Sequence, residues 1–211
     1  MRREDTLQVL LESRVIAVIR MTDPEKVLRT VEAVARGGVR AVEITMTTPG
    51  ALGTIRSLAA AKGSAAIIGA GTVLDAGTAE EVIEAGAEFV VSPVTDPDMI
   101  RVCRRRDVLV APGAFSPTEI VNAWRLGADL VKVFPATSLG PQFFRDLRGP
   151  LPQIRLMPTG GVSVENARSF IAAGASCVAV GTALLDKPLI AGERWDDLAA
   201  RARALVDSLR N

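Results

Sequence analysis

A repeated junction, in which a helix ends at a glycine and an apolar strand follows, constrains the fold of this chain more than any other feature. It occurs at Gly37-Gly38-Val39, Ala85-Gly86-Ala87, Leu126-Gly127-Ala128 and Ala173-Gly174-Ala175. Glycine is favoured there because it readily adopts the left-handed conformation that ends a helix. The first strand, residues 15–19, is apolar throughout, which is typical of parallel strands buried on both faces. The pattern therefore predicts strands and helices in alternation around a parallel sheet.

The alternation continues along the whole chain without a long linker or a change of composition. Eight strands are predicted, at residues 15–19, 39–45, 65–69, 89–91, 108–111, 129–135, 155–157 and 177–180. Eight such units predict an α/β fold, a single (β/α)8 TIM barrel over residues 1–211, with an extra N-terminal helix at about residues 5–12. The chain has 211 residues, which is short for a fold of usually ~250 residues but within its range. An open doubly wound sheet is the alternative, weakened because no Gly-x-Gly-x-x-Gly follows the first strand.

Composition removes several classes of function. The net charge of +1 gives no support for a nucleic-acid partner or an anionic membrane surface. No stretch is long and apolar enough to span a bilayer. The chain has no histidine, which excludes histidine bases and histidine metal sites, and two cysteines are too few for a zinc site or a disulfide framework. These features predict a reduced, cytoplasmic protein without a histidine or zinc metal site.

Lys132 stands out because it interrupts the apolar strand Leu130-Val131-Lys132-Val133-Phe134. Burial of a lysine is costly and favours the neutral amine, which is a nucleophile toward carbonyls. One hypothesis is that Lys132 forms a Schiff base; the other is that its side chain simply reaches solvent or a carboxylate. Glu43, inside Ala41-Val42-Glu43-Ile44-Thr45, is the candidate base, or only an ion-pair partner for Lys132 or Arg20.

Polar residues and glycines follow the predicted strands, while the strand bodies are apolar. The ends carry Arg20, Glu43 with Thr45 and Thr47, Gly71-Thr72, Ser92-Pro93, Pro112-Gly113, Lys132 with Phe134, Thr159-Gly160-Gly161, and Gly181-Thr182. Active sites of TIM barrels lie at these carboxyl ends, and phosphate is frequently bound after strands seven and eight. Because glycines let the backbone approach an anion closely, the last two groups predict a phosphate site. Two ordinary glycine turns are the alternative.

With these residues assembled, the chain resembles the KDPG/KHG aldolase family of class I pyruvate aldolases over nearly its whole length. The resemblance is carried by Val15-Ile16-Ala17-Val18-Ile19-Arg20, Val42-Glu43-Ile44-Thr45, Ile68-Gly69-Ala70-Gly71-Thr72-Val73, Ser92-Pro93, Lys132-Val133-Phe134-Pro135, Pro158-Thr159-Gly160-Gly161-Val162 and Val180-Gly181-Thr182. It implies cleavage of 2-keto-3-deoxy-6-phosphogluconate (KDPG) to pyruvate and glyceraldehyde 3-phosphate. It also implies activity on 4-hydroxy-2-oxoglutarate (KHG), and a homotrimer.

The resemblance also implies a role for each site residue. Lys132 would condense with the 2-keto group of the substrate, and Glu43 would move the protons. The pyruvyl end would be lined by Thr72, Pro93, Phe134 and Thr159, and the phosphate would be held by Gly160, Gly161, Gly181 and Thr182. The protonated imine would accept the electrons of the broken bond, so neither a metal nor a cofactor is implied.

Thr47 departs from the family pattern, because many members carry an arginine there that contacts the substrate carboxylate. A hydroxyl thus replaces a bidentate cation, and we hypothesise that Arg20 takes over this contact. Three alternatives stay open: a 2-keto-3-deoxy-6-phosphogalactonate (KDPGal) aldolase, a phosphosugar isomerase or epimerase without a covalent lysine, and a phosphosugar-binding protein. Fold alone does not separate the last two from an aldolase.

Overall fold

The computed structural model describes residues 1–61 and 66–210, and within them short strands alternate with helices. The strands are β1 (Val15–Ile19), β2 (Ala41–Thr45), β3 (Ile67–Gly71), β4 (Phe89–Val91), β5 (Leu109–Ala111), β6 (Gly113–Ala114), β7 (Val131–Val133), β8 (Leu156–Pro158) and β9 (Val178–Val180). The helices are α1 (Arg3–Ser13), α2 (Pro24–Arg36), α3 (Ala51–Ala60), α4 (Ala76–Glu84), α5 (Pro97–Arg105), α6 (Pro117–Arg125), α7 (Gly140–Arg148), α8 (Ala167–Ala172), α9 (Lys187–Ala191) and α10 (Trp195–Arg210).

All strand pairs are parallel, and they form a curled α/β sheet. One group has the order β5-β4-β3-β2-β1-β9 and the other the order β6-β7-β8. The two groups meet at two places: β5 continues past Pro112 into β6, and Thr159 bridges to Ala179 of β9. The backbone N–H of Lys132 also donates to the carbonyl oxygen of Pro112 at 2.9 Å. The carboxyl ends of all these strands consequently lie at one edge of the sheet.

Alternate residues of the strands build a second, inner core that is separate from the core beneath the outer helices. Its buried members are Leu10, Ile16, Ala41, Ile67, Phe89, Val91, Leu109, Ala111, Leu130, Met157, Cys177 and Ala179. Leu10 comes from α1, so this helix packs against the amino-terminal half of the strand interior. Because side chains alternate between faces, the residue two places after each inner-core residue faces the same interior, closer to the carboxyl ends.

Asp129, at the start of the β7 segment, ties α1 to the sheet. It is 5% exposed and accepts a hydrogen bond from the Val110 N–H at 3.0 Å. Its carboxylate also forms ion pairs with Arg3 of α1 and with Arg104 at the end of α5, the latter at 3.5 Å. A buried carboxylate needs such partners, because leaving water costs several kcal/mol.

The structure confirms most predicted elements and corrects some of their bounds. The predicted strand at 39–45 begins only at Ala41, because the Val39 N–H still bonds to Val34 of the preceding helix. The strand predicted at 65–69 starts outside the described residues and is observed at Ile67–Gly71. The strand β6 is not among the predicted strands, because Pro112, which cannot donate a backbone hydrogen bond to a ladder, directly follows the predicted strand at 108–111.

Candidate functional site

Glu43 and Lys132 both face the strand interior near the carboxyl ends. Glu43 follows the inner-core residue Ala41 by two positions on β2, and Lys132 follows Leu130 by two on the β7 segment. Glu43 is 1% exposed and Lys132 is 5% exposed. Two residues of opposite charge, from strands far apart in sequence, are thereby placed in one largely apolar interior.

Burial changes the proton affinity of both groups. Burial raises the pKa of the Glu43 carboxyl, while the positive charges of Lys132 and Arg20 act in the opposite direction. Burial lowers the pKa of the Lys132 ammonium; the Glu43 carboxylate opposes this, and Arg20 adds to it. A lysine with a lowered pKa supplies more neutral amine at moderate pH, and a carboxyl with a raised pKa can both give and accept protons.

Hydrogen-bonding capacity is left unused in this interior. Among the described residues, the buried side-chain oxygens without a hydrogen-bond partner are Thr30 Oγ1, Glu43 Oε2 and Thr159 Oγ1. Two of these three belong to the predicted site. Because buried polar atoms are normally paired, an unpaired one calls for an explanation, and a ligand that supplies the missing partner is one.

A cavity of about 340 Å³ opens at the ends of β1, β8 and β9. Its lining includes seven of the residues predicted from the sequence, namely Arg20, Phe134, Thr159, Gly160, Gly161, Gly181 and Thr182. Phe134 lies between this cavity and the lysine, since Nζ of Lys132 is 5.0 Å from the centre of its ring. The predicted amine and the predicted phosphate groups are thus neighbours in the structure.

The turn after β8 is shaped by two glycines. Gly160 and Gly161 have φ angles of 84° and 74°, in the left-handed region that favours glycine. A β-carbon on Gly161 would lie only 2.6 Å from Oγ1 of Thr137. Both constraints favour glycine over a larger residue in this turn, which lines the cavity.

Thr47 and Thr72 lie elsewhere, in a second cavity that they share with Asp75 and Glu81. Thr47 is exposed and donates to Thr45 Oγ1 at 3.3 Å, while Thr72 has a φ of 60°. The structure therefore does not bring Arg20 and Thr47 into one cavity. The carboxylates beside Thr47 also make its surroundings less favourable to an anion than an arginine would.

Pro93 follows β4 and packs against the next strand. A β-carbon on Gly113 would lie 2.2 Å from the carbonyl oxygen of Pro93, so this loop touches the backbone of β6. Pro93 is half-buried and lines neither of the two cavities described above.

Gly71 is a neighbour of Glu43 whose role the sequence did not indicate. The strand predicted at residues 65–69 stops short of Gly71, but β3 includes it. A β-carbon on Gly71 would lie 1.8 Å from Oε1 of Glu43. The available signal was the spacing of two glycines by two positions, which puts both on one face of a strand.

Within residues 1–61 and 66–210, no three acidic or cysteine residues are grouped so that they could hold a metal ion. Within the same ranges, every helix is too short or too polar to cross a membrane.

Comparison with known proteins identifies the group to which this site belongs. The family model for KDPG and KHG aldolase matches residues 7–201. The 2-dehydro-3-deoxy-phosphogluconate aldolase of Haemophilus influenzae is 32% identical, over 98% of each chain. That of Pseudomonas aeruginosa is 36% identical, over 97% of this chain and 92% of the relative. The 2-dehydro-3-deoxy-6-phosphogalactonate aldolase of Escherichia coli K12 is 33% identical, over 92% and 94%.

A solved structure agrees with these relatives. The KDPG aldolase of Legionella pneumophila, crystallised with pyruvate as a covalent carbinolamine intermediate, is 28% identical and superposes with a TM-score of 0.87. It covers 95% of this chain, and this chain covers 97% of it. The full-length match to the family model and to relatives above 30% identity confirms the resemblance, and the chain belongs to the KDPG and KHG aldolase family.

Proposed function

We propose that this chain is a class I aldolase that cleaves KDPG to pyruvate and glyceraldehyde 3-phosphate, with Lys132 as the Schiff-base lysine. The observation that carries the proposal is the pairing of two buried ionisable groups in one interior. The pKa of the Lys132 ammonium is lowered and that of the Glu43 carboxyl is raised, in each case mainly by burial. This combination supplies an amine nucleophile and a proton carrier in a site that largely excludes water.

The proposed reaction begins when the neutral Lys132 amine attacks the keto carbon of the substrate. Glu43 transfers protons while the carbinolamine loses water, which leaves a protonated imine. Glu43 then takes the proton of the C4 hydroxyl, the C3–C4 bond breaks, and its electron pair moves to the iminium nitrogen. The aldehyde leaves, the enamine is reprotonated at C3, and hydrolysis of the imine releases pyruvate and the free lysine.

The two ends of the substrate would occupy the two sides of Phe134. We assign the phosphate to Gly160, Gly161, Gly181 and Thr182, which share the cavity of about 340 Å³. We assign the pyruvyl end to Phe134 and Thr159, whereas Thr72 and Pro93, which line no part of this cavity, keep that assignment from the family resemblance alone. The unpartnered hydroxyl of Thr159 supports this assignment, because a ligand oxygen there would supply the missing hydrogen bond.

Arg20 stays our candidate for the substrate carboxylate in place of the family arginine at position 47. Its charge acts on both Glu43 and Lys132, which supports a position beside the reacting atoms. Its place in the cavity that holds the phosphate residues also makes the phosphate a possible partner. Substrates that differ in either the carboxylate or the phosphate would show which of these two groups Arg20 binds.

KDPGal is the second candidate substrate, favoured by the Escherichia coli relative of that specificity, which is nearly as similar as the KDPG aldolases. KHG is a further candidate, since the family model covers aldolases of both substrates. KDPG and KDPGal differ only in stereochemistry at C4, so the residues that touch the C4 hydroxyl decide between them.

We further propose that the curled sheet is a single (β/α)8 barrel domain over residues 1–211, in which β5 and β6 together form one strand and α1 is the extra N-terminal helix. The two strand groups meet at both of their edges, which supports closure. A homotrimer is proposed because exposed apolar residues follow three neighbouring strands, namely Leu74, Val94 and Phe115. The two buried free thiols fit a cytoplasmic location.

The test measures pyruvate release from KDPG, KDPGal and KHG by the wild-type protein and by Lys132→Arg, which keeps the positive charge but is not a nucleophile at this pH. We expect cleavage of KDPG to be fastest and to vanish in the variant. Equal rates of pyruvate release by the wild type and Lys132→Arg would exclude the Schiff base. Conversion of the substrate to an isomer without pyruvate release would favour the isomerase. Binding of substrate without turnover by the wild type would favour the binding protein.

A further inference from the structure

Gly71 is a glycine that its own backbone does not require. It is the last residue of β3, pairs with Thr45 of β2, and is not among the glycines with positive φ. Any residue can adopt an extended strand conformation, so another reason must account for the missing side chain.

The space that a side chain would fill is occupied by Glu43. A β-carbon on Gly71 would lie 1.8 Å from Oε1, 2.3 Å from Cδ and 2.6 Å from Cγ of Glu43. Non-bonded heavy atoms separate at about 3.5–4.0 Å, so even a methyl group would displace the carboxyl group and part of its stem.

From this geometry, and resting on the proposed function, we infer that Gly71 is a positioning residue for Glu43. The carboxyl group of Glu43 packs directly against the backbone of β3 at Gly71, where there is no side chain. Oε2 of Glu43 has no hydrogen-bond partner. The carboxyl group is therefore held in position by packing against Gly71 and not by a hydrogen bond to Oε2. Such a carboxyl group is placed beside the substrate and can still exchange protons with it.

The neighbouring glycine on the same face has a different purpose. A β-carbon on Gly69 would lie 2.3 to 2.4 Å from three atoms of the Phe89 ring, which is fully buried in the inner core. Gly69→Ala is therefore expected to disturb the fold, whereas Gly71→Ala is expected to disturb the position of one functional side chain. Comparison of the two variants therefore separates a loss of core packing from a displacement of Glu43.

The first experiment measures thermal stability and needs no activity. Gly71→Ala is compared in the wild-type background and in a Glu43→Ala background, which lacks all three clashing atoms. We expect Gly71→Ala to lower the Tm of the first protein and to leave the second unchanged. An equal loss of Tm in both backgrounds would overturn the inference, because the clash would then not be with Glu43. Gly53→Ala is the control for a methyl group added in open space, since nothing lies within 4 Å of its β-carbon, and it should not lower Tm because alanine is favoured over glycine inside helix α3.

The second experiment measures cleavage of KDPG by Gly71→Ala, Glu43→Gln and the double variant. Losing a general acid–base group costs about 10²–10⁴-fold, so we expect kcat of Gly71→Ala to fall by at least about tenfold with KM little changed. The double variant is expected to be no slower than Glu43→Gln, because residues that act as a unit are not additive. Full additivity, or a kcat equal to that of the wild type, would refute the positioning role. An inactive wild type would instead refute the proposed function, and the stability result would still decide the inference.

Discussion

Replacing both Lys132 and Glu43 by methionine should stabilise the protein. The two side chains are 5% and 1% exposed, and one carboxylate oxygen of Glu43 has no hydrogen-bond partner. Two charges have thus been taken out of water without full compensation by hydrogen bonds. Methionine is close to lysine and glutamate in length and adapts to irregular space, so the double variant fills the interior without a buried charge.

The expected magnitude follows from these burials. Exchange of buried charges for apolar residues of similar volume is neutral or stabilises by about 1–4 kcal/mol even where the charges form an ion pair. For a chain of this size, each kcal/mol corresponds to roughly 2–4 °C in Tm, so a gain of 2 kcal/mol would raise Tm by about 4–8 °C. Activity would be abolished, because the proposed nucleophile and proton carrier are both gone.

The single variant Lys132→Met gives the opposite result, with a defined pH dependence. It leaves Glu43 buried. It also removes the charge of Lys132, which lowers the pKa of the Glu43 carboxyl more than the charge of Arg20 does, so this pKa rises further. When folding raises the pKa of a carboxyl, this carboxyl destabilises the folded state least at a pH below its unfolded pKa. The destabilisation grows as the pH rises from the unfolded pKa to the folded pKa. Lys132→Met should therefore lose stability relative to the wild type between about pH 5 and pH 8.

Urea denaturation followed by circular dichroism at both pH values measures these free energies of unfolding. The control replaces the exposed pair Arg29 and Glu32 by methionines, which should change stability by less than about 0.5 kcal/mol. A double variant of Lys132 and Glu43 that is less stable than the wild type by about 1 kcal/mol or more would refute the reasoning on uncompensated burial.

Three further predictions concern the charges around the site. Lys132 must be neutral to attack pyruvate, and the Glu43 carboxylate raises the pKa of this lysine whereas Arg20 lowers it. Glu43→Gln should therefore move the pH midpoint of adduct formation down and Arg20→Gln should move it up; shifts of the same sign would contradict the assignment. Thr47→Arg restores the family cation and should lower KM for pyruvate, measured in the aldol-addition direction, about tenfold. Thr47→Gln is the uncharged control. An unchanged KM in steady-state assays would remove position 47 from the carboxylate site. Asp129→Ala breaks a buried ion pair and should cost about 3–5 kcal/mol in urea denaturation, whereas Asp129→Asn keeps an acceptor for the Val110 N–H and should cost less.

Much of the fold could be predicted because local patterns and tertiary structure agree here. The strand β1 has the bounds predicted for it, residues 15–19. Alternation also suffices to put Glu43 and Lys132 on the interior face, because each follows an inner-core residue by two positions. The limits of the elements were harder, since Pro112 ends one ladder of hydrogen bonds and the strand resumes immediately after it.

The arrangement around the two ionisable residues could not be predicted in the same way. Motifs put Arg20 and Thr47 at the ends of neighbouring strands, but only the structure shows that they line different cavities. The contact between Gly71 and Glu43 depends on the direction of one side chain across two strands, which sequence spacing does not specify. Glycine at a strand end is also a common turn signal, so the sequence favours a turn over a packing role for Gly71.

Covalent trapping tests the central claim most directly. The wild-type protein and Lys132→Arg are incubated with pyruvate and borohydride, and intact mass and a peptide map are measured. The account predicts a reduced pyruvyl adduct of about 72 Da on the peptide that contains Lys132, and no adduct in the variant. An unmodified wild-type protein, or an adduct of equal yield in Lys132→Arg, would contradict the Schiff-base mechanism.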